Sequence, residues 1–492
     1  MSMTIVEKIL ARASGLPSVK VGDVVEPKVD LAMSHENAAL VINQFHEIYQ
    51  GTNLPPKIWN PSRVAVIFDH RVPAESAKTA SNQKKVREFV GAQTVTKFHD
   101  IRGDVGGICH QILPESGYVR PGAVVVGTDS HTTSHGALGA FAFGIGATEM
   151  ASVWALGVAL NVEVPPTIKI VVKGRFKKFV GAKDLILHLI GKLTAQGANF
   201  KVLEFHGPTI AQMNTSSRLT LCNMAVEAGA TSGIVPADLE TERYLREEAG
   251  VAEPINFVAP DLDAVYEQVI EINVAKLTPQ IACPHTVDNV KSVDDVAGKK
   301  VQQIVIGSCT NGRLDDLAMA AKILKGKKVA PGTRMLIFPA SGKIFRQALA
   351  GERNQPAGIN DCLPGLRQGH DREFLSAGPV AHGGGRDLQF VAFAGLNGRA
   401  RHHPQAEIDG VLQKDAGKTL RHDDQLVALQ AGHRLLARGA AAEVLSAQQH
   451  VARRDLFRLQ LRVEGGIVGE RQQRRFRRQH GRHEAAGVDH VG

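Results

Sequence analysis

Residues 63–70 read RVAVIFDH, and this octet decides the fold. Five apolar residues, three of them β-branched, describe a strand buried on both faces, and the acid and imidazole that follow put polar chemistry at its end. Strands of that kind belong to parallel sheets whose crossover helices cover both sides. The same grammar recurs on either side. Residues 124–126 (VVV) run into Gly127, Thr128, Asp129, Ser130 and His131, and residues 301–306 (VQQIVI) run into Gly307, Ser308, Cys309, Thr310, Asn311, Gly312 and Arg313. Residues 168–172 read as a further buried strand, and 335–338 as another. Between them the apolar spacing changes to that of helices: Ala38, Ala39, Val41, Ile42, Phe45 and Ile48, with Ser34 expected as the N-cap; Leu185, Ile186, Leu189 and Ile190 within 184–193; then 314–324 and 343–349. Alternation of this kind from about residue 30 to 350 predicts an α/β protein with parallel-type sheets.

The chain has 492 residues, 43% apolar and 22% charged. That composition excludes a fibrous or wholly disordered chain. It corresponds to about three or four domains at roughly 100–200 residues each. No run approaches the ~18 apolar residues of a spanning helix, and residues 1–14 do not read as a signal peptide. Five scattered cysteines (109, 222, 283, 309 and 362) are too few for a disulfide framework. A reducing, cytoplasmic setting and no membrane partner are expected.

The net charge of +9 is unevenly composed. Residues 1–351 hold 24 Lys and 13 Arg against 33 acids, whereas residues 352–492 hold 2 Lys and 19 Arg against 16 acids, with half of the 20 His. Two texts are joined near Gly351. The expected organisation is therefore two α/β/α units within 1–290, the start of a third in 291–351, and a basic Arg/His/Gly-rich tail from 352 to 492, frameshifted or disordered. The Arg-rich stretch 471–483 (RQQRRFRRQHGRH) has the charge to meet phosphates. A solvated charge run is the commoner case, so nucleic acid is not the expected partner.

Ligands gather beyond the carboxyl ends of parallel strands, which makes the polar tips the candidate site. An Asp beside a His is an acid–base unit, because the carboxylate orients the imidazole and keeps it protonated. Asp69 with His70, and Asp129 with His131, qualify, and His110 in GICHQ is a third imidazole. Asp129, His131 and His135 have the spacing to hold zinc, but Thr132, Thr133 and the glycines after them predict a loop rather than one helical face. Cys309, on its turn after a buried strand, is open to three readings: inert core thiol, nucleophile or metal ligand.

These residues carry a family resemblance. GTDSHT with the Gly-rich stretch 136–146, GICHQILPE, EFHGP (204–208), CNMAVEAGAT (222–231) and GSCTNGR resemble the aconitase superfamily. Within it they are most similar to the large subunits of the 3-isopropylmalate dehydratase, homoaconitase and dimethylmalate dehydratase group. The resemblance spans about residues 1–350. It implies aconitase-like three-layer α/β/α domains and a 4Fe-4S hydro-lyase that dehydrates and rehydrates a hydroxy-dicarboxylate or -tricarboxylate, 2- or 3-isopropylmalate in leucine biosynthesis. A Lewis-acidic iron would offset the charge that develops on a departing hydroxide. It further implies that Asp69 and His70 are the acid pair, that His110, Asp129, His131 and Glu227 are catalytic, and that Ser130, Asn223, Asn311 and Arg313 bind substrate. One early polar contact falls within 35–37. Cys309 matches the first cluster cysteine. A separate small subunit would supply a swivel domain with the catalytic base.

The resemblance fails at the point where the composition changes. The family's Cys-x-x-Cys loop, which supplies the other two cluster ligands, is missing; Cys362, 53 residues after Cys309, stands alone near its place. The expected arginine-bearing substrate segment is missing too. A reading-frame slip near codon 351 accounts for both losses, and a remnant that binds no cluster is the alternative of another class.

Overall fold

The computed structural model describes residues 2–101 and 106–350, together with the backbone of 388–390. The RVAVIF run is an inner strand of a five-stranded sheet. Its strands are Leu31–Ser34 (β1), Val64–Ile67 (β2), Lys97–His99 (β3), Val124–Gly127 (β4) and Phe141–Gly144 (β5), all parallel, in the order β3-β2-β1-β4-β5. Helices Ile5–Ser14 (α1), Ala38–Ile48 (α2), Ala77–Ala92 (α3), Cys109–Glu115 (α4) and Ala147–Leu156 (α5) accompany it. Side chains alternate along a strand, and here both faces are apolar. Val64 and Val66 pack with Ile9, Phe45, Phe89 and Trp154 of α1, α2, α3 and α5. Ala65 and Ile67 pack with Ile112 and Leu113 of α4. The three-layer α/β/α arrangement follows from that double burial.

A second parallel sheet holds Thr167–Lys173 (β6), Val202–His206 (β7), Ser232–Ile234 (β8) and Gln268–Asn273 (β9) in the order β8-β7-β6-β9. Helices Ala182–Leu193 (α6) and Thr215–Asn223 (α7) join its core, and Leu185, Ile186, Leu189 and Ile190 of α6 are all buried there. A third sheet pairs Gln303–Ile306 (β10), Arg334–Ile337 (β11) and Leu388–Phe390 (β12) in parallel. Helices Leu314–Leu324 (α8) and Gly342–Ala350 (α9) contribute to its smaller core. No helix among the described residues is long and apolar enough to cross a membrane.

Two local expectations are corrected. Ser34 is the buried last residue of β1, held between β2 and β4, and caps nothing; α2 starts after Asn37. Residues 130–138, expected as a loop, wind as a 3-10 helix (Ser130–Leu138) that begins at Asp129, whose side chain accepts the His131 N–H. This segment runs so close to β8 that a Cβ on Gly136 would collide with the carbonyl of Gly233. Glycine is required there by space.

In the first sheet the winding reverses between β1 and β4. An open parallel sheet forms its ligand crevice outside the carboxyl ends at that reversal.

Candidate active site

Three strand tips meet at the crevice: His35 and Glu36 after β1, Asp69 and His70 after β2, and Asp129, Ser130 and His131 after β4. Asp69, only 2% exposed, accepts His70 Nδ1–H at 2.6 Å through one oxygen and the backbone N–H of Cys109 at 2.7 Å through the other. The first turn of α4 thereby fixes the carboxylate, and the carboxylate fixes the ring. The other ring nitrogen of His70 lies 3.2 Å from Asp129 Oδ2. Its face stacks on His35, with ring centroids 4.1 Å apart.

Asp129 is the centre of the network. Its second oxygen accepts from His110 Nε2 at 2.7 Å and from the His131 backbone N–H at 2.8 Å. His131 Nε2 pairs with Glu227 Oε1 at 3.2 Å, and Ser130 Oγ lies 3.3 Å from His131 Nδ1. Burial alone would raise the Asp129 carboxyl, but the imidazoles of His110, His131 and His70 hold it far below the usual carboxylate range. In return, Asp129 and then Asp69 lift His70 to about 10, and Asp129 and then Glu227 lift His131 to about 10. His131 likewise holds Glu227 down. At neutral pH the site presents two imidazolium groups interleaved with carboxylates. The charge of Cys309 adds to the lift on His131, which brings the third strand tip into the same environment.

Behind this layer the site is braced by buried amide and hydroxyl groups. Asn223 donates to Ser134 Oγ at 2.8 Å and accepts from Thr310 Oγ1 at 2.6 Å, tying the 3-10 helix to the Cys309 turn. Asn311 and Arg313, expected to hold substrate, are engaged elsewhere. Asn311 donates to Thr220 Oγ1 and Asp316 Oδ1 at 3.2 and 2.8 Å. Arg313 is buried and clamps Ser216 Oγ at 2.9 Å, Thr220 Oγ1 at 2.8 Å and the Thr310 carbonyl. A guanidinium committed to these acceptors, and to the Cys309 carbonyl at 3.4 Å, fastens the turn to α7.

Sequence reasoning placed an early polar contact within 35–37 without choosing a residue and considered His135 only as a zinc ligand; the structure sets His35, Glu36 and His135 against the network. Glu36 accepts the backbone N–H groups of His70 and Arg71 at 3.1 and 2.9 Å; burial opposes its charge, but His35 and these amides hold it at about 2. His135 is fully buried, 3.4 Å from the His110 ring, and burial, then the neighbouring His110, push it well below its ordinary value.

The metal readings can be tested on the donor atoms. Among the described residues, the cluster of ligating atoms within 4.8 Å of one another is His35, Glu36, Asp69 and His70. Both Glu36 oxygens and both His70 ring nitrogens are already hydrogen-bonded. Asp129, His131 and His135 form no such group, which corrects the zinc alternative. Thiolate donors fare no better. Cys109 and Cys222 are fully buried, with burial pushing both thiols up, and Cys283 follows the hairpin strand Gln280–Ala282. Cys362 lies outside the described residues. A 4Fe-4S cluster needs several thiolates, and among the described residues Cys309 is the one cysteine beside the site that is not fully buried, since Cys109, which holds Asp69 through its backbone N–H, has its thiol enclosed. The residues present do not fit the group.

Comparison with known proteins gives the same placement. Residues 28–300 and 291–355 match the Aconitase family (aconitate hydratase). Over 350 residues the chain is 48% identical to the "Probable 3-isopropylmalate dehydratase large subunit" of Methanothermobacter thermautotrophicus, covering 71% of this chain and 81% of that one. It is 42% identical over 377 residues to the "3-isopropylmalate dehydratase large subunit 1" of Methanopyrus kandleri (74% and 87% covered). It is also 42% identical over 367 residues to the "Probable methanogen homoaconitase large subunit" of M. thermautotrophicus (74% and 84%). A switch-point crevice lined by coupled carboxylates and imidazoles is what a dehydration needs, and the matched residues are the ones that build it: the chain belongs to the aconitase family of hydro-lyases.

Proposed function

We propose that residues 1–350 are the acid–base and substrate-binding portion of a large subunit that interconverts 2- and 3-isopropylmalate with a separate small subunit. The observation that carries this reading is the pinned imidazolium of His70, held between Asp69 and Asp129. Hydroxide is a poor leaving group, and a proton delivered as the C–O bond breaks removes that obstacle. His70 is the donor in this scheme. His131, paired with Glu227, offers a second positive group to a substrate carboxylate, beside the hydroxyl of Ser130. His110 orients Asp129 from the buried side. The base that takes the carbon-bound proton is assigned to the small subunit.

The three sheets, each with its own core, support two α/β/α units within 1–290 and the start of a third in 291–351. The cluster cysteines that would complete a site of this type are assigned to the segment this chain lacks.

The test is a chimera. Residues 1–350 are joined to the corresponding C-terminal segment of the M. thermautotrophicus relative and mixed with a 3-isopropylmalate dehydratase small subunit. The expected result is turnover of 3-isopropylmalate, lost in the Asp129→Asn chimera. A folded chimera that turns over homocitrate and ignores 3-isopropylmalate supports the homoaconitase alternative, which the 42% identical relative favours. A folded chimera inactive on both acids overturns the proposal.

A further inference from the structure

Beside the acid–base network lies a cavity of about 410 Å³ that the chemistry above does not use. Glu227 and Thr310, both already part of the site or its bracing, form the wall it shares with the network. Leu187, Met224 and Val287 make its apolar side, and Lys183 supplies its cation. The volume falls within the range of small-molecule sites, and an apolar wall with a few convergent polar groups is their usual make-up.

Lys183 is the telling residue. It sits in the first turn of α6, where the helix dipole is already positive and a cation is disfavoured. The carboxylates around it are committed elsewhere. Asp184, next in sequence, gives its two oxygens to the backbone N–H groups of Gly181 and Gln280, at 2.8 and 2.7 Å. Glu227 is hydrogen-bonded to His131. The groups whose charge reaches the lysine, Cys309, Asp316 and Glu227 among them, all belong to the site or to the turn that borders it. An ammonium on the wall of an open, largely apolar cavity, with the nearby carboxylates already engaged, is a site for the carboxylate of a small ligand.

We infer that Lys183 binds a carboxylate of the hydroxy acid while Leu187, Met224 and Val287 receive its hydrocarbon branch, so that this cavity selects a branched hydroxy-dicarboxylate over an unbranched one. The inference rests on the hydroxy-acid reading of the neighbouring network. It adds a specificity-determining subsite on the large-subunit side. The geometry separates two contributions. The ammonium reads a carboxylate that all such acids share, and the apolar wall reads the alkyl group that only some carry.

Titration calorimetry on the full chain tests both, with 3-isopropylmalate and malate as probes. The wild-type chain is expected to bind 3-isopropylmalate more tightly than malate. Lys183→Met should weaken both acids about tenfold or more, corresponding to about 1.4 kcal/mol, and Lys183→Arg should restore most of the loss. Leu187→Ala should erase the advantage of the branched acid and leave malate affinity unchanged. Circular dichroism and thermal melts establish that each variant is folded. Wild-type binding that Lys183→Met leaves untouched overturns the subsite alone. A wild-type chain that binds neither acid overturns the hydroxy-acid reading, and the subsite with it.

Discussion

Asp129 carries more of the site than any other residue, because one carboxylate faces three imidazoles and is only 15% exposed. Replacing it with Asn removes the negative charge and turns one of the two acceptor oxygens into a donor, without changing the side chain's size. In Asp129→Asn, the His70 and His131 titrations should fall from about 10 toward the ordinary 6.5, as read by imidazole NMR signals against pH. Activity in the restored chimera should drop by roughly 10²–10⁴, the usual worth of a positioned acid. The same network gives stability a definite pH dependence. The two raised histidines contribute fully below about 6.5 and lose that contribution as pH rises through about 10. Asp129 and Glu36, both lowered, contribute above about 4 and lose it on acidification. Urea unfolding should therefore show wild-type stability falling between pH 6.5 and 10, and Asp129→Asn should flatten that slope.

Among the elements, the 3-10 helix 130–138 has the tightest constraint. Gly136 lies against the Gly233 carbonyl of β8 with no room for a Cβ. Gly136→Ala should force the two apart and cost about 3 kcal/mol, near the upper end for overpacking. A thermal melt measures the loss, and a lowered His131 titration would report that the helix has moved. Most elements were legible in the sequence, because strands such as VAVI and VVV are apolar on both faces and α6 carries a clean helical spacing. Asp69, His70, Asp129 and His131 were legible as well, since each follows such a strand directly. What stayed hidden depends on partners distant in sequence. Ser34 resembles a cap but is a strand end, because β2 and β4 bond β1 from both sides. Arg313 looks like a substrate arginine until Ser216 and Thr220 of α7 appear beside its guanidinium. Lys183 gave no signal at all, since its meaning comes from Glu227 and Thr310 across the cavity.

On the scale of the whole molecule, sequence composition and family match break at nearly the same place. Lys gives way to Arg after residue 351, and the family match ends at 355. The full chain, reconstituted anaerobically with iron and sulfide, should bind no 4Fe-4S cluster; broad absorbance near that of cluster proteins, with about four irons per chain, would refute this. A slip of the reading frame further requires a Gly-Cys-x-x-Cys text in another frame of the gene near codons 360–375, and its absence would refute the slip. The position of the break has a consequence of its own. Every side chain of the acid–base network comes from residues 35–227, upstream of the point where composition and family match change. If the frame slips there, the product still carries the whole network. On the proposed reading such a chain keeps the half that holds the hydroxy acid, and adding it to an uninterrupted enzyme should inhibit turnover by competing for that acid.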